Sequence, residues 1–167
     1  GTDKLVSIEE AALTGGQGNN MINAREFDGP VTLVGGAGND TLTGSSHDDV
    51  IAGEDGDDLL NGRAGSDTLQ SGLGSDRMFG GAQDDLLESL TADDFVNGQS
   101  GNDHAQISTN ADVILTDSGV LFGSDQVKLR DIESVTILGG DEDNWIDASV
   151  FTGRVTIDGG AGNDMLY

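Results

Sequence analysis

The sequence predicts an all-β solenoid, a chain wound into short coils that stack on one another. Three observations predict it. Residues 35–115 divide into nine consecutive nonapeptides with no insertion. The sixth place of each is aspartate: Asp40, Asp49, Asp58, Asp67, Asp76, Asp85, Asp94, Asp103 and Asp112. The eighth place is apolar: Leu42, Ile51, Leu60, Leu69, Met78, Leu87, Val96, Ala105 and Ile114. A short fixed period of this kind marks a repeat architecture, in which a unit buries its apolar face only against its neighbours.

Residues 1–34 are read as a lead-in coil. GTDKLVSIEEAALT carries an apolar pattern (Leu5, Val6, Ile8, Ala11, Leu13) that predicts a bent strand. GGQGNNMIN from Gly15 is an outlying repeat with Asn20 in the aspartate place. A Gly-Pro turn then leads into the strand-like Val31–Val34. Gly15 and Gly35 are 20 residues apart, one coil whose second side uses a plain turn. Within 35–115, places seven to nine form a strand with the eighth side chain inward, as the period of two requires. Two nonapeptides make one 18-residue coil. Coils stack about 4.7–4.9 Å apart, so each turn lies on the turn two repeats later. After Leu115 the register is lost. Residues 116–138 are expected to be an irregular linker with short strands at Val127–Leu129 and Val135–Leu138. Residues 139–167 start a new unit, with GGDEDNWID at Gly139 and GGAGNDMLY at Gly159.

A longer recurrence sits over the short one. Shifted by 124 residues, positions 8–42 fall on 132–166 without a gap, with 18 of 35 identical, among them Glu9/Glu133 and Phe27/Phe151. The two phenylalanines are read as core fillers at the plain turns. The recurrence leads us to expect a block from a longer tandem array, with neighbouring units of the same chain as its partners.

Composition says what such a coil lacks. Thirty-one Asp and Glu face seven Lys and Arg, for a formal net charge of −24, and only 35% of residues are hydrophobic. That balance alone reads as disordered. Ordering costs roughly 1–2 kcal/mol of backbone entropy per residue, and one aliphatic side chain in nine residues offsets little of it. The missing stability must come from cations. The charge excludes nucleic acid and anionic glycans or lipids as main partners. There is no cysteine, hence no disulfide or thiolate site. No apolar run suits membrane insertion.

The turns define the cation. Glycines let the backbone turn tightly and present carbonyl oxygens on one side, and the sixth-place carboxylate closes the ring. Hard oxygen donors in a flexible cage suit Ca²⁺, at about 2.3–2.6 Å, better than Mg²⁺ or zinc. The predicted sites pair Asp40 with Asp58, Asp58 with Asp76, Asp76 with Asp94 and Asp94 with Asp112 on one edge. On the other they pair Asp49 with Asp67, Asp67 with Asp85 and Asp85 with Asp103. Turn donors come from Gly35, Ala37 and Asn39; Gly44, Ser46 and Asp48; Gly53, Asp55 and Asp57; Gly62, Ala64 and Ser66. Asn20, Asp143, Asn144 and Asp164 are outlying candidates. Roughly five to nine ions are expected.

The pattern resembles the repeats-in-toxin (RTX), or haemolysin-type, calcium-binding repeat, G-G-x-G-x-D-x-U-x. The resemblance covers 35–115 continuously, with outlying copies at 15–23, 139–147 and 159–167. It implies a right-handed parallel β-roll that folds on Ca²⁺. It also implies a bacterial protein exported by type I secretion, unfolded in the cytosol and folded at extracellular calcium. The longer unit looks like the arrays of large adhesins. A non-enzymatic structural module is expected. The alternative is a module that binds a neutral glycan or a cell surface, or an accessory module of a secreted polysaccharide-modifying enzyme.

Several residues depart from the pattern. His47, Gln83, Ala92, Asn110 and Glu142 replace the fourth-place glycine, and the repeats from Ser89 and Ile107 lack both opening glycines. The four repeats from Gly35 to Gln70 are therefore expected to be the most regular and to hold the tightest ions. His47 and His104 are read as turn and outward strand residues, and Trp145 as packing on a neighbouring coil. Asp141, Asp143 and Asp147 mimic the start of an EF-hand loop, but Ile146 and Thr152 stand where glycine and glutamate are needed.

Overall fold

A computed structural model describes residues 8–88, 90–91, 93–123 and 125–167. The expected strand residues Leu5 and Val6, the repeat-opening Ser89 and the fourth-place Ala92 lie outside them. The described chain is a parallel β-solenoid with no helix, consistent with a β-roll. It begins with β1 (Ala11–Gln17), β2 (Met21–Asn23), β3 (Val31–Ala37), β4 (Thr41–Thr43), β5 (Val50–Asp55) and β6 (Leu59–Ala64). It continues through β7 (Thr68–Leu73), β8 (Arg77–Ala82), β9 (Leu86–Glu88), β10 (Phe95–Ser100), β11 (His104–Ser108) and β12 (Val113–Thr116). It ends with β13 (Gly119–Phe122), β14 (Asp125–Arg130), β15 (Ser134–Leu138), β16 (Trp145–Val150), β17 (Arg154–Asp158) and β18 (Met165–Leu166).

Two sheets face each other. One runs β1-β3-β5-β7-β9-β11-β15-β17, and the other runs β18-β16-β12-β13-β14-β10-β8-β6-β4-β2. The strand register stacks like side chains. Leu33, Ile51, Leu69, Leu87, Ala105 and Val135 form one inward row, and Leu42, Leu60, Met78, Val96 and Leu129 form the other. Nearly all are fully buried. A single aliphatic residue per repeat is enough to fill the narrow space between the sheets because each stacks on its counterpart in the next coil. Phe27 and Phe151 pack against this core beside the plain turns.

The segment 116–138, expected as a linker, extends both sheets. β12, β13 and β14 form an antiparallel meander inside the otherwise parallel sheet, and β15 continues the opposite sheet from β11. The meander corrects the pairing of the ninth repeat: β13 and β14 lie between β10 and β12, so Asp112 does not stack on Asp94. The eighth-place pattern also slips there by one residue. Val113 and Leu115 point inward and Ile114 outward, since a one-residue shift turns every side chain of a strand to the other face.

Candidate metal centre

The sixth-place aspartates form two inner ladders, one along an edge of each sheet. In each rung a backbone N–H donates to Oδ1 of the aspartate in the next coil. Asp40 donates to Asp58 at 2.7 Å, Asp58 to Asp76 at 2.7 Å and Asp76 to Asp94 at 2.8 Å. On the other edge Asp49 donates to Asp67 at 2.8 Å, Asp67 to Asp85 at 2.9 Å and Asp85 to Asp103 at 2.9 Å. These are the six remaining pairs of the expected scheme, now joined by hydrogen bonds. All eight of these side chains are buried.

That arrangement uses one carboxylate oxygen and leaves the other. Oδ2 of Asp40, Asp58, Asp67, Asp76, Asp85 and Asp103 is buried with no protein donor. A buried carboxylate oxygen without a partner costs several kilocalories, on the order of 1–3 kcal/mol or more for a charged group. Burial pushes Asp58 and Asp76 up to about 6 and Asp67 and Asp85 to about 7, reinforced by stacked carboxylates on both sides of Asp58 and Asp67 and on one side of Asp76 and Asp85, although each accepts a backbone N–H that opposes the shift. Asp94 and Asp103 are raised for the same first reason.

First-place glycines lie beside five of these oxygens; the repeat of Asp76 opens on Ser71 instead. A Cβ on Gly35, Gly53 or Gly62 would fall on Oδ2 of the aspartate in its own repeat. It would also crowd a carbonyl in the coil beyond, that of Gly53, Ser71 or Gly80 respectively, at 2.6–2.8 Å. The space a side chain would fill is thus lined by a carboxylate oxygen and a carbonyl. Among the described residues no three His, Asp or Glu side chains converge, so an ion held here would take much of its shell from backbone carbonyls. The donor set is hard oxygen throughout and fits Ca²⁺.

Two rungs differ. In the turn of Gly44, the N–H of Ser45 donates to Oδ2 of Asp49 at 2.6 Å and its Oγ donates to Oδ1 at 3.0 Å. Near Leu90, the N–H of Thr91 donates to Oδ2 of Asp94 at 2.7 Å. Both carboxylates are satisfied by protein. The regularity expected from Gly35 to Gln70 therefore fails at its second repeat, where serine replaces the second glycine and His47 the fourth-place one. Gln83 keeps the left-handed backbone of the glycine it replaces, at φ 81°.

The other candidates fall in distinct places. Asn39, Asp48 and Asp57 form an exposed outer ladder, accepting the N–H of Asp57, Ser66 and Ser75 at 2.8–3.2 Å. The third-place carbonyls of Ala37 and Asp55 accept N–H groups from Gly18 and Gly38; Ser46 is exposed and Ala64 half-buried in the same third place. Asn20 donates its N–H to Asp40 at 2.6 Å. Asn144 donates to Asp164 at 2.9 Å and keeps a buried, unpartnered Oδ1. Asp143 lies on the outer ladder, accepting from Asn163 at 2.8 Å. Asp112 is exposed and accepts the N–H of Trp145 at 2.8 Å. Trp145 packs against Tyr167, ring centroids 6.3 Å apart. His104 meets the Ser134 hydroxyl at 2.8 Å, and burial lowers its pKa.

One inner-ladder residue lies outside the nonapeptides. The N–H of Asp103 donates to Oε2 of Glu133 at 2.8 Å, so a glutamate follows the aspartates of that edge. No periodic reading finds it; the only signal is the recurrence that aligns Glu133 with Glu9.

Fold and ladders together define a β-solenoid whose turns present rows of buried carboxylate oxygens. The model of the RTX calcium-binding nonapeptide repeat matches residues 32–60, 53–87, 70–105 and 152–167, more than half of the chain. The chain belongs to this family. No curated protein matches it.

Proposed function

We propose that the chain is a calcium-dependent structural module of a secreted protein, expanded without Ca²⁺ and ordered into the roll by it. One observation carries this reading: six buried Oδ2 atoms have no protein donor, and five of them face glycine-made spaces. Asp40, Asp58, Asp67, Asp76, Asp85 and Asp103 would hold the ions together with carbonyls of the neighbouring coils. Asp49 and Asp94, already satisfied by Ser45 and Thr91, would hold them less tightly. Binding only to the folded state stabilises it by mass action; a site at about 100 times its dissociation constant adds about 2.7 kcal/mol. Several such sites offset the thin core and the charge of −24. Secretion suits this scheme, since millimolar extracellular calcium would fold what the cytosol leaves open. A calcium titration followed by circular dichroism tests it. Strand signal should appear with calcium and vanish in excess EGTA; a chain equally folded in both would refute it.

A second reading, a neutral-glycan or surface-binding module on the same roll, draws on the outer face of β8 and β10. There Phe79 and Phe95 lie 5.8 Å apart with the Arg77 guanidinium over both rings. A glycan array in saturating calcium separates the readings, with specific hits required for the second.

A further inference from the structure

We propose that the short segment Asp131–Glu133 closes a further calcium site at the end of the ladder that runs through Asp49, Asp67, Asp85 and Asp103. The inference rests on reading that ladder as the calcium-binding one.

A regular repeat offers the coil before it two oxygens. Its first-place carbonyl faces the glycine of that coil, as Ser71 faces Gly53 and Gly80 faces Gly62. Its sixth-place carboxylate accepts the N–H of that coil's aspartate. These two donors are five residues apart in the chain. Beyond Asp103 no nonapeptide follows on this edge. The carbonyl of Asp131 nevertheless occupies the first-place position, since a Cβ on Gly98 would fall on it and on Oδ2 of Asp103. Oε2 of Glu133 occupies the sixth-place position against the N–H of Asp103. Asp131 takes a left-handed backbone, φ 49°, which folds the two donors together, and the extra methylene of glutamate spans the remaining distance. Next in the chain, the N–H of Ser134 donates to the carbonyl of Asp103 at 3.1 Å, as that of His104 does to Asp85.

The buried half of the site is in place. Asp103 is fully buried, and its Oδ2 has no protein donor. A calcium ion there would tie the last regular repeat to β15 and to the meander that leads into it. Glu9 stands at the matching place in the longer recurrence, and its carbonyl lies against Gly29 as that of Glu133 lies against Gly153.

Hydrogen exchange read by mass spectrometry across a calcium titration tests the site in the full chain. In the wild type, residues 125–138 should gain protection over the same calcium range as residues 50–82. Glu133→Gln keeps an acceptor for the Asp103 N–H but removes the charge. It should move the midpoint for 125–138 at least about tenfold higher, a difference of about 1.4 kcal/mol, and leave 50–82 unchanged. Glu10→Gln, which removes the same charge at the far end of the roll, should leave both midpoints in place. An unchanged midpoint in Glu133→Gln, or an equal shift of both segments, overturns the proposal. So does a Glu10→Gln shift matching that of Glu133→Gln, which would reduce the effect to net charge. A wild type with no calcium-dependent protection anywhere overturns the calcium reading of the whole ladder.

Discussion

Gly62→Ala tests whether the first-place glycines keep space for an ion or merely bend the chain. Gly62 is not in the left-handed region, so alanine suits its backbone. The added methyl would fall on Oδ2 of Asp67 and lie 2.6 Å from the carbonyl oxygen of Gly80. Carbon and oxygen need about 3.3 Å, so the next coil must lift by roughly 0.7 Å or the carboxylate must swing out. Lifting stretches the 2.9 Å bond from the Asp67 N–H to Asp85, and swinging out removes the charged donor. Overpacking of this kind costs about 1–3 kcal/mol. Alanine also narrows the unfolded ensemble, which works in the opposite direction by about 0.4–1 kcal/mol. Urea unfolding in saturating calcium should therefore show a net loss of about 1–2 kcal/mol, and calorimetric titration should show a lower calcium stoichiometry. Ser66→Ala, exposed in the same turn, should stay within about 0.5 kcal/mol of wild type. Unchanged stability and stoichiometry in Gly62→Ala would refute the reasoning.

Three further outcomes follow from the geometry. Without calcium, the folded form should gain stability as pH falls, because Asp58, Asp67, Asp76 and Asp85 hold protons more tightly folded, at about 6 to 7, than at the ordinary 3.8. That contribution is complete below about pH 4 and is lost as pH rises through 6 to 7, so circular dichroism in EDTA should show more strand at pH 5 than at pH 8. Asp67→Asn should lower calcium affinity at least about tenfold, while Asp49→Asn, whose Oδ2 already accepts from Ser45, should lower it far less; equal losses by calorimetry would count against the orphan oxygens. Val113→Asp should destabilise the calcium form by more than about 3 kcal/mol by burying a charge, whereas Ile114→Asp, on the outward face, should cost under about 1 kcal/mol; thermal unfolding in calcium compares them.

The period carried most of the fold. A sixth-place aspartate and an eighth-place aliphatic residue repeated without insertion leave one way to stack, and the strand rows follow that register through Ala105. The sequence could not tell the glycines apart. Gly38, at φ 105°, serves the backbone, whereas Gly62 serves the space beside Asp67, and both are simply glycine in the string. The slip at Val113 was hidden for a similar reason. Val113, Ile114 and Leu115 are all aliphatic, so hydrophobicity does not choose which faces inward, and the meander decides it. Asp49 looked complete because its own place matches; its satisfaction by Ser45 depends on a turn conformation two places off the pattern. Glu133 lies outside any period and could be found only by where the chain returns.

The central claim is that the inner oxygens, and not the outer ladder, hold the ions. Anomalous diffraction from crystals grown in calcium tests it most directly. Calcium peaks should lie beside Oδ2 of Asp40, Asp58, Asp67, Asp76, Asp85 and Asp103, with none at Asp112. Peaks confined to the outer carboxylates of Asp48, Asp57 and Asp143, or no ions along the inner ladders, would contradict the account.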